Sequence, residues 1–127
     1  MKAILLAVAI VVSVWNTGLE AKPRPHVHRT PTVAQAKAYA RERLGATQYR
    51  CFYALMQRES RWNPRATNRN SGAYGIPQSL PGSKMRTAGK DWRTNPITQV
   101  KWGIRYVNGR YGSACKAYRH ALERGWY

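Results

Sequence analysis

Carboxylates are scarce in this chain. One Asp (Asp91) and four Glu (Glu20, Glu42, Glu59 and Glu123) stand against 22 Lys and Arg. Any acid–base chemistry of the carboxylate kind must come from this short list. A Ca²⁺ or Mg²⁺ cage built from several carboxylates is nearly excluded, and a Ser-His-Asp set would have to use Asp91 or borrow a Glu. Glu20 falls in an apolar leader. Glu42 sits between Arg41 and Arg43, and Glu123 beside Arg124, so both read as solvated surface charges. Glu59 differs. Phe52, Leu55, Met56 and Glu59 recur at i, i+3, i+4 and i+7, which is one face of a helix. Glu59 therefore extends an apolar stripe toward the core. Burial disfavours its charged form, and a nearby helix C-terminus repels negative charge. Arg58 and Arg61 push the other way, with side chains expected off this face. This is the pattern of a general acid that holds a proton near neutral pH. Taken alone, the same residues fit a helix-terminal Glu paired with a neighbouring Arg.

The element that must carry Glu59 is a helix from Gln48 to about Ser60, with Thr47 as N-cap and Asn63-Pro64 as the stop. Before it, Val33, Ala36, Ala40 and Leu44 predict a helix that ends at Gly45. From Asn63 to Gly82 periodicity is absent and Pro, Gly, Asn and Ser are frequent, so a loop is expected in which short strands could hide. A short turn or helix is expected from Pro81 to Thr87. Asn95-Pro96 starts the next helix, on which Ile97, Val100, Ile104, Val107 and Tyr111 form a stripe. Ser113 caps a last helix, with Ala114, Ala117, Tyr118, Ala121 and Leu122 on one face and Gly125 as its stop. The fold class expected is mainly α, a single small helical domain with a loop or short-strand region after the helix that bears Glu59.

The chain has 127 residues, enough for one compact domain, and a formal charge of +17. Met1-Lys2, an apolar run from Ala3 to Val14, and Leu19-Glu20-Ala21 read as a secretory signal peptide over residues 1–21, cut after Ala21. The run is shorter than the roughly 20 residues of a membrane-spanning helix, and no other apolar run approaches that length. Residues 22–32 form a basic, Pro-rich tail, leaving 33–127 as the domain. His26 and His28 in this tail lack a third ligand nearby, so solvated imidazoles are expected and neither metal nor cofactor is. Export and even parity make a Cys51–Cys115 disulfide the expectation. It would close a loop of more than 60 residues and staple the Glu59 helix to the last helix. Two buried free thiols are the alternative, and a catalytic Cys with His120 is a third.

Glu59-Ser60-Arg61-Trp62-Asn63-Pro64, followed by Gly72-Ala73-Tyr74-Gly75-Ile76-Pro77-Gln78, resembles the lytic transglycosylase (SLT-type) domain of the lysozyme-like superfamily. Arg110-Tyr111-Gly112-Ser113-Ala114-Cys115 and Gly125-Trp126-Tyr127 are similar to small secreted actinobacterial versions. The resemblance covers Val33 to Tyr127. It implies an α+β lysozyme-like fold and cleavage of the peptidoglycan glycan strand between N-acetylmuramic acid and N-acetylglucosamine. On this resemblance Glu59 falls on the family's single catalytic glutamate. Ser60, Asn68, Tyr74, Gln78, Leu80, Tyr106 and Tyr118 are the expected substrate-binding residues. The sequence departs from the family at Pro77, where a non-Pro residue is usual, and at Arg119, where Asn is usual after Ala-Tyr.

An ordinary glycosidase uses a second carboxylate, about 5–5.5 Å away for retention or about 6.5–9.5 Å for inversion. Here Asp91 alone remains outside the surface set. Substrate assistance removes that need: the sugar's own N-acetyl oxygen stabilises the anomeric carbon, and Glu59 then takes the proton of the 6-hydroxyl as a 1,6-anhydro ring closes. Scarcity of carboxylates thus favours transglycosylation over hydrolysis by a lysozyme-type muramidase. Trp62, Tyr74, Tyr106 and Tyr118 could stack on sugars or sit in the core, and for Tyr106 and Trp102 the core is at least as good an expectation. The positive charge suits the anionic polymers of a bacterial wall. A monomeric, secreted, wall-associated protein is expected. The competing classes are a cationic wall-binding protein without catalysis and a nucleic-acid binder. Neither a zinc knuckle nor a basic recognition helix supports the latter.

Overall fold

The computed structural model describes residues 10–15 and 18–127. Much of the expected signal peptide, residues 1–9, 16 and 17, lies outside the described residues. Residues 22–32 carry no regular structure and are almost entirely exposed. The domain proper runs α1 (Val33–Ser60), a 3₁₀ helix (Gly82–Ala88), α2 (Pro96–Tyr111) and α3 (Ala114–Arg124).

Each of the three α-helices begins where a polar side chain can satisfy its first free N–H groups. At α1 the cap is reciprocal. The Gln35 N–H donates to Thr32 Oγ1 at 3.2 Å, while the Thr32 N–H donates to Gln35 Oε1 at 2.8 Å. Asn95 caps α2 by accepting from the Ile97 N–H at 2.9 Å, with Pro96 in the first turn. Ser113 caps α3 by accepting from the Lys116 N–H at 3.1 Å. Gly45 breaks α1 as expected, at φ 74° and ψ 166°. The two helices expected over 33–60 thus meet at a kink at Gly45, and α1 denotes both together.

Along α1, Ala36 and Ala40 precede the break and Phe52, Leu55 and Met56 follow it, all fully buried. They meet Val100 and Val107 of α2 and the alanine face of α3, Ala114, Ala117 and Ala121. All three helices pack on one another, and the 3₁₀ helix packs on α2. The disulfide joins Cys51 of α1 to Cys115 of α3, with Cα atoms 4.9 Å apart. Trp62 turns back under the end of α1. It is buried, lies edge-on to Phe52 at 6.0 Å, and donates its indole N–H to the Tyr53 carbonyl at 3.2 Å.

The segment between α1 and the 3₁₀ helix holds antiparallel bridges only, Thr67 to Tyr74 and Tyr74 to Ser79. The strands that could hide there are reduced to these contacts. Among the described residues no helix is long and apolar enough to cross a membrane.

Candidate active site

Glu59 stands one residue before the end of α1 and is half-buried, whereas Glu20, Glu42, Asp91 and Glu123 are exposed. Burial raises its pKa above the ordinary carboxylate value, and the Arg58 guanidinium pulls it partly back. No hydrogen bond contributes in either direction. The carboxyl therefore keeps its proton to a higher pH than a solvated Glu and has no internal partner to hand it to.

The Glu59 side chain opens on a shallow depression shared with Ser60, Arg61, Asn68 and Gln78. A second depression, lined by Gln78, Leu80, Lys84, Trp102, Tyr106 and Tyr127, adjoins it. Gln78 lines both, so the two depressions meet at this side chain and together make up the groove at the Glu59 end of α1.

Backbone geometry shapes this groove. Among the described residues, Arg61, Trp62 and Gln78 are the non-glycine residues with positive φ, at 53°, 59° and 52°. Arg61 and Gln78 line the depression that holds Glu59, and Trp62 follows Arg61 into the core; a left-handed conformation reverses the chain within one residue. The Ser60 hydroxyl donates to the Ile76 carbonyl at 2.7 Å and ties the end of α1 to the turn before Gln78. The Gln78 side-chain amide donates to the Ala66 carbonyl at 3.0 Å and the Gly75 carbonyl at 2.9 Å. The Asn68 side-chain oxygen accepts the N–H groups of Asn70 and Ser71 and so builds the loop rim.

The expected substrate-contact residues separate into two groups. Ser60, Asn68, Gln78, Leu80 and Tyr106 all line the groove, and Leu80 is 52% exposed there. Tyr106 stacks on Trp102 with ring centroids 4.9 Å apart and an interplanar angle of 13°. Tyr74 and Tyr118 line neither depression. The Tyr74 hydroxyl donates to the Arg93 carbonyl at 2.6 Å, and its ring meets Trp92 edge-on. Tyr118 packs against the helical core. Trp62, considered for sugar stacking, is a core residue at 2% exposure. Cys51 and Cys115 are bonded to each other, so neither is a free thiol nor a nucleophile with His120.

Asp91, the remaining carboxylate of interest, is engaged elsewhere. It accepts from the Thr98 hydroxyl at 2.6 Å and the Asn95 amide at 2.8 Å, and these bonds hold its pKa below the ordinary value. It lines a different hollow, beside His28 and Arg29 of the tail. Among the described residues no three of His, Cys, Asp and Glu converge to hold a metal ion.

Gln99 escaped sequence reasoning because it interrupts an apolar helix face without any motif around it. It is fully buried in α2. Its oxygen accepts the Ile76 N–H at 2.9 Å, and its amide donates to the Pro64 carbonyl at 2.9 Å and the Trp92 carbonyl at 2.8 Å. One side chain thus fastens three loop segments to α2. Gly75 lies against it, with φ +80°, and a Cβ there would meet Gln99 Oε1 at 2.8 Å.

The family model Transglycosylase SLT domain matches residues 37–122. This chain belongs to the SLT transglycosylase family. No curated protein and no solved structure matches it. Membership gives the protein a transglycosylase-type function on peptidoglycan, and the mainly helical architecture agrees with the SLT fold. The matched span contains Glu59, the bridged loop and the groove face of α2. Tyr127 lies beyond it yet reaches the SLT groove. Its hydroxyl donates to the Pro77 carbonyl, and its phenol pKa is pushed well up by burial and then by the Glu59 charge. The cue available in the sequence was the aromatic pair after Gly125, which resemblance had marked without assigning it a place.

Proposed function

We propose that this SLT domain is a secreted enzyme that cleaves the bond between N-acetylmuramic acid and N-acetylglucosamine, with Glu59 as sole general acid and base. The observation that carries the reading is a lone half-buried carboxyl in a groove, while Asp91, the alternative partner, is held by Thr98 and Asn95 away from it. The Glu59 proton passes to the glycosidic oxygen as the bond to the muramic anomeric carbon breaks. The N-acetyl carbonyl oxygen bonds to that carbon and carries the developing positive charge. The Glu59 carboxylate then removes the proton of the 6-hydroxyl, and that oxygen displaces the acetamido oxygen. A 1,6-anhydro ring closes, Glu59 is reprotonated, and no water is consumed. General acid–base assistance of this kind contributes about 10²–10⁴ in rate. The Trp102–Tyr106 stack and Leu80 offer apolar surface to sugar rings along the groove. The net charge of +17 concentrates the protein on the anionic polymers of a cell wall.

The test is digestion of purified peptidoglycan followed by mass spectrometry of the released muropeptides. Wild type is expected to release 1,6-anhydro ends, and Glu59→Gln none. Reducing ends alone would make the enzyme a muramidase. No release by wild type would leave a cationic wall-binding protein.

A further inference from the structure

Gly125 ends α3 in the left-handed conformation, φ 79°, and turns the following residues back over the domain. His120 fixes this short strap: its Nδ1 is 2.9 Å from the Trp126 carbonyl oxygen, and its ring meets the Trp126 indole edge-on at 4.6 Å. The Arg110 guanidinium lies 5.8 Å above the same indole. Thus anchored, the strap sends Tyr127 inward between Tyr106 and Tyr111, with ring centroids 5.6 and 6.3 Å away. The Tyr127 hydroxyl bonds to the carbonyl of Pro77, the residue before Gln78, where the two halves of the groove join.

We infer that Tyr127 is a positioning residue for Glu59: its ring forms the inner wall that keeps water from the buried side of the carboxyl, and its hydroxyl holds the Pro77–Gln78 wall at the distance the sugar requires. The inference rests on the reading of Glu59 given above and goes beyond it, because it assigns a working role to a residue outside the matched family span. Three observations converge on it. The phenol is buried, it bonds to the groove wall, and it is close enough to Glu59 for that charge to raise its own pKa. The charged and titratable groups around the carboxyl are Arg58 of α1, Arg61 after it, and Tyr127 from the strap, with Tyr106 of α2 behind. Arg58 favours the carboxylate and burial opposes it more strongly, so exclusion of water is what raises the Glu59 pKa.

Two variants separate the ring from the hydroxyl. Tyr127→Phe keeps the wall and loses the tether. Muropeptide release is expected to fall about tenfold, with thermal midpoint and the alkaline limb of the pH–rate profile close to wild type. Tyr127→Ala opens the wall, and its alkaline limb is expected to move down by about one pH unit as water reaches the carboxyl. A Phe variant at the wild-type rate overturns the assignment, as does a folded Ala variant with an unmoved limb. If Tyr127→Ala fails to fold, the Phe variant decides alone. Wild-type and Glu59→Gln controls keep the two readings apart: an inactive wild type sinks the proposed function, whereas an active wild type matched by Tyr127→Phe sinks only the role of Tyr127.

Discussion

The Ser60 hydroxyl and the Ile76 carbonyl, 2.7 Å apart, couple the residue beside the acid to the opposite wall of the groove. The same hydroxyl lies 3.4 Å from the Met56 carbonyl. A side chain expected to touch substrate is therefore already engaged in holding α1 against the Gly75–Gln78 turn. Ser60→Ala leaves the Ile76 carbonyl without this donor. The expected cost is about 1 kcal/mol in urea denaturation, together with a several-fold fall in muropeptide release that Ser60→Thr partly restores.

Glu59→Gln is expected to lower glycan cleavage by about 10²–10⁴ without unfolding the domain, because the amide fills the same space. Its thermal midpoint at neutral pH should equal or exceed wild type. The folded protein binds the Glu59 proton more tightly than the unfolded chain does. The stabilisation linked to that proton is full below the unfolded carboxylate pKa and is lost as pH rises through the raised folded value. The advantage of Gln should therefore grow with pH across that window. A scan of thermal midpoint against pH for both proteins checks it.

Asp91 runs the opposite way. Its bonds to Thr98 and Asn95 lower its folded pKa, so its stabilisation is present above the unfolded value and disappears as pH falls through the folded one. Asp91→Asn should lower the thermal midpoint slightly at neutral pH, lose that difference in acid, and leave glycan cleavage unchanged.

Replacing Gln99 by Leu keeps the volume and removes all three loop bonds. Orphaning even one of its buried partners costs about 1–3 kcal/mol, so the denaturation midpoint should drop by at least that much. Cleavage should fall further than stability explains, since the bonds to Pro64 and Ile76 flank the loop that carries Ala66, Thr67 and Asn68 to the groove.

Reducing Cys51–Cys115, or replacing both by Ser, should cost about 2–4 kcal/mol. The bridge joins α1 to α3 on helix faces that do not line the groove. The reduced protein should therefore keep its activity at low temperature and lose it on heating earlier than the oxidised one.

Periodicity exposed the helices because their apolar faces repeat. Phe52, Leu55 and Met56 pointed to the core, and Glu59 was conspicuous for continuing their stripe. Caps at Asn95 and Ser113 and stops at Gly45 and Gly125 were legible for the same local reasons. What stayed hidden was long-range. Nothing near Gln99 in the chain reveals that Pro64, Ile76 and Trp92 converge on it, and nothing near Tyr127 reveals Pro77. Tyr74 and Tyr118 illustrate the remaining ambiguity: a tyrosine that lines a groove and one that braces a loop or core have the same composition and neighbours.

The left-handed residues Arg61, Trp62 and Gln78 have a bearing on how this enzyme could be improved. Side chains in that conformation cost on the order of 1–3 kcal/mol each, and glycine would relieve it at the exposed Arg61. A laboratory selection for heat resistance alone would be drawn to such positions. It would accumulate changes around the end of α1 and at the Gln78 wall of the groove, and is expected to yield sturdier proteins with lower turnover unless turnover were selected in the same round.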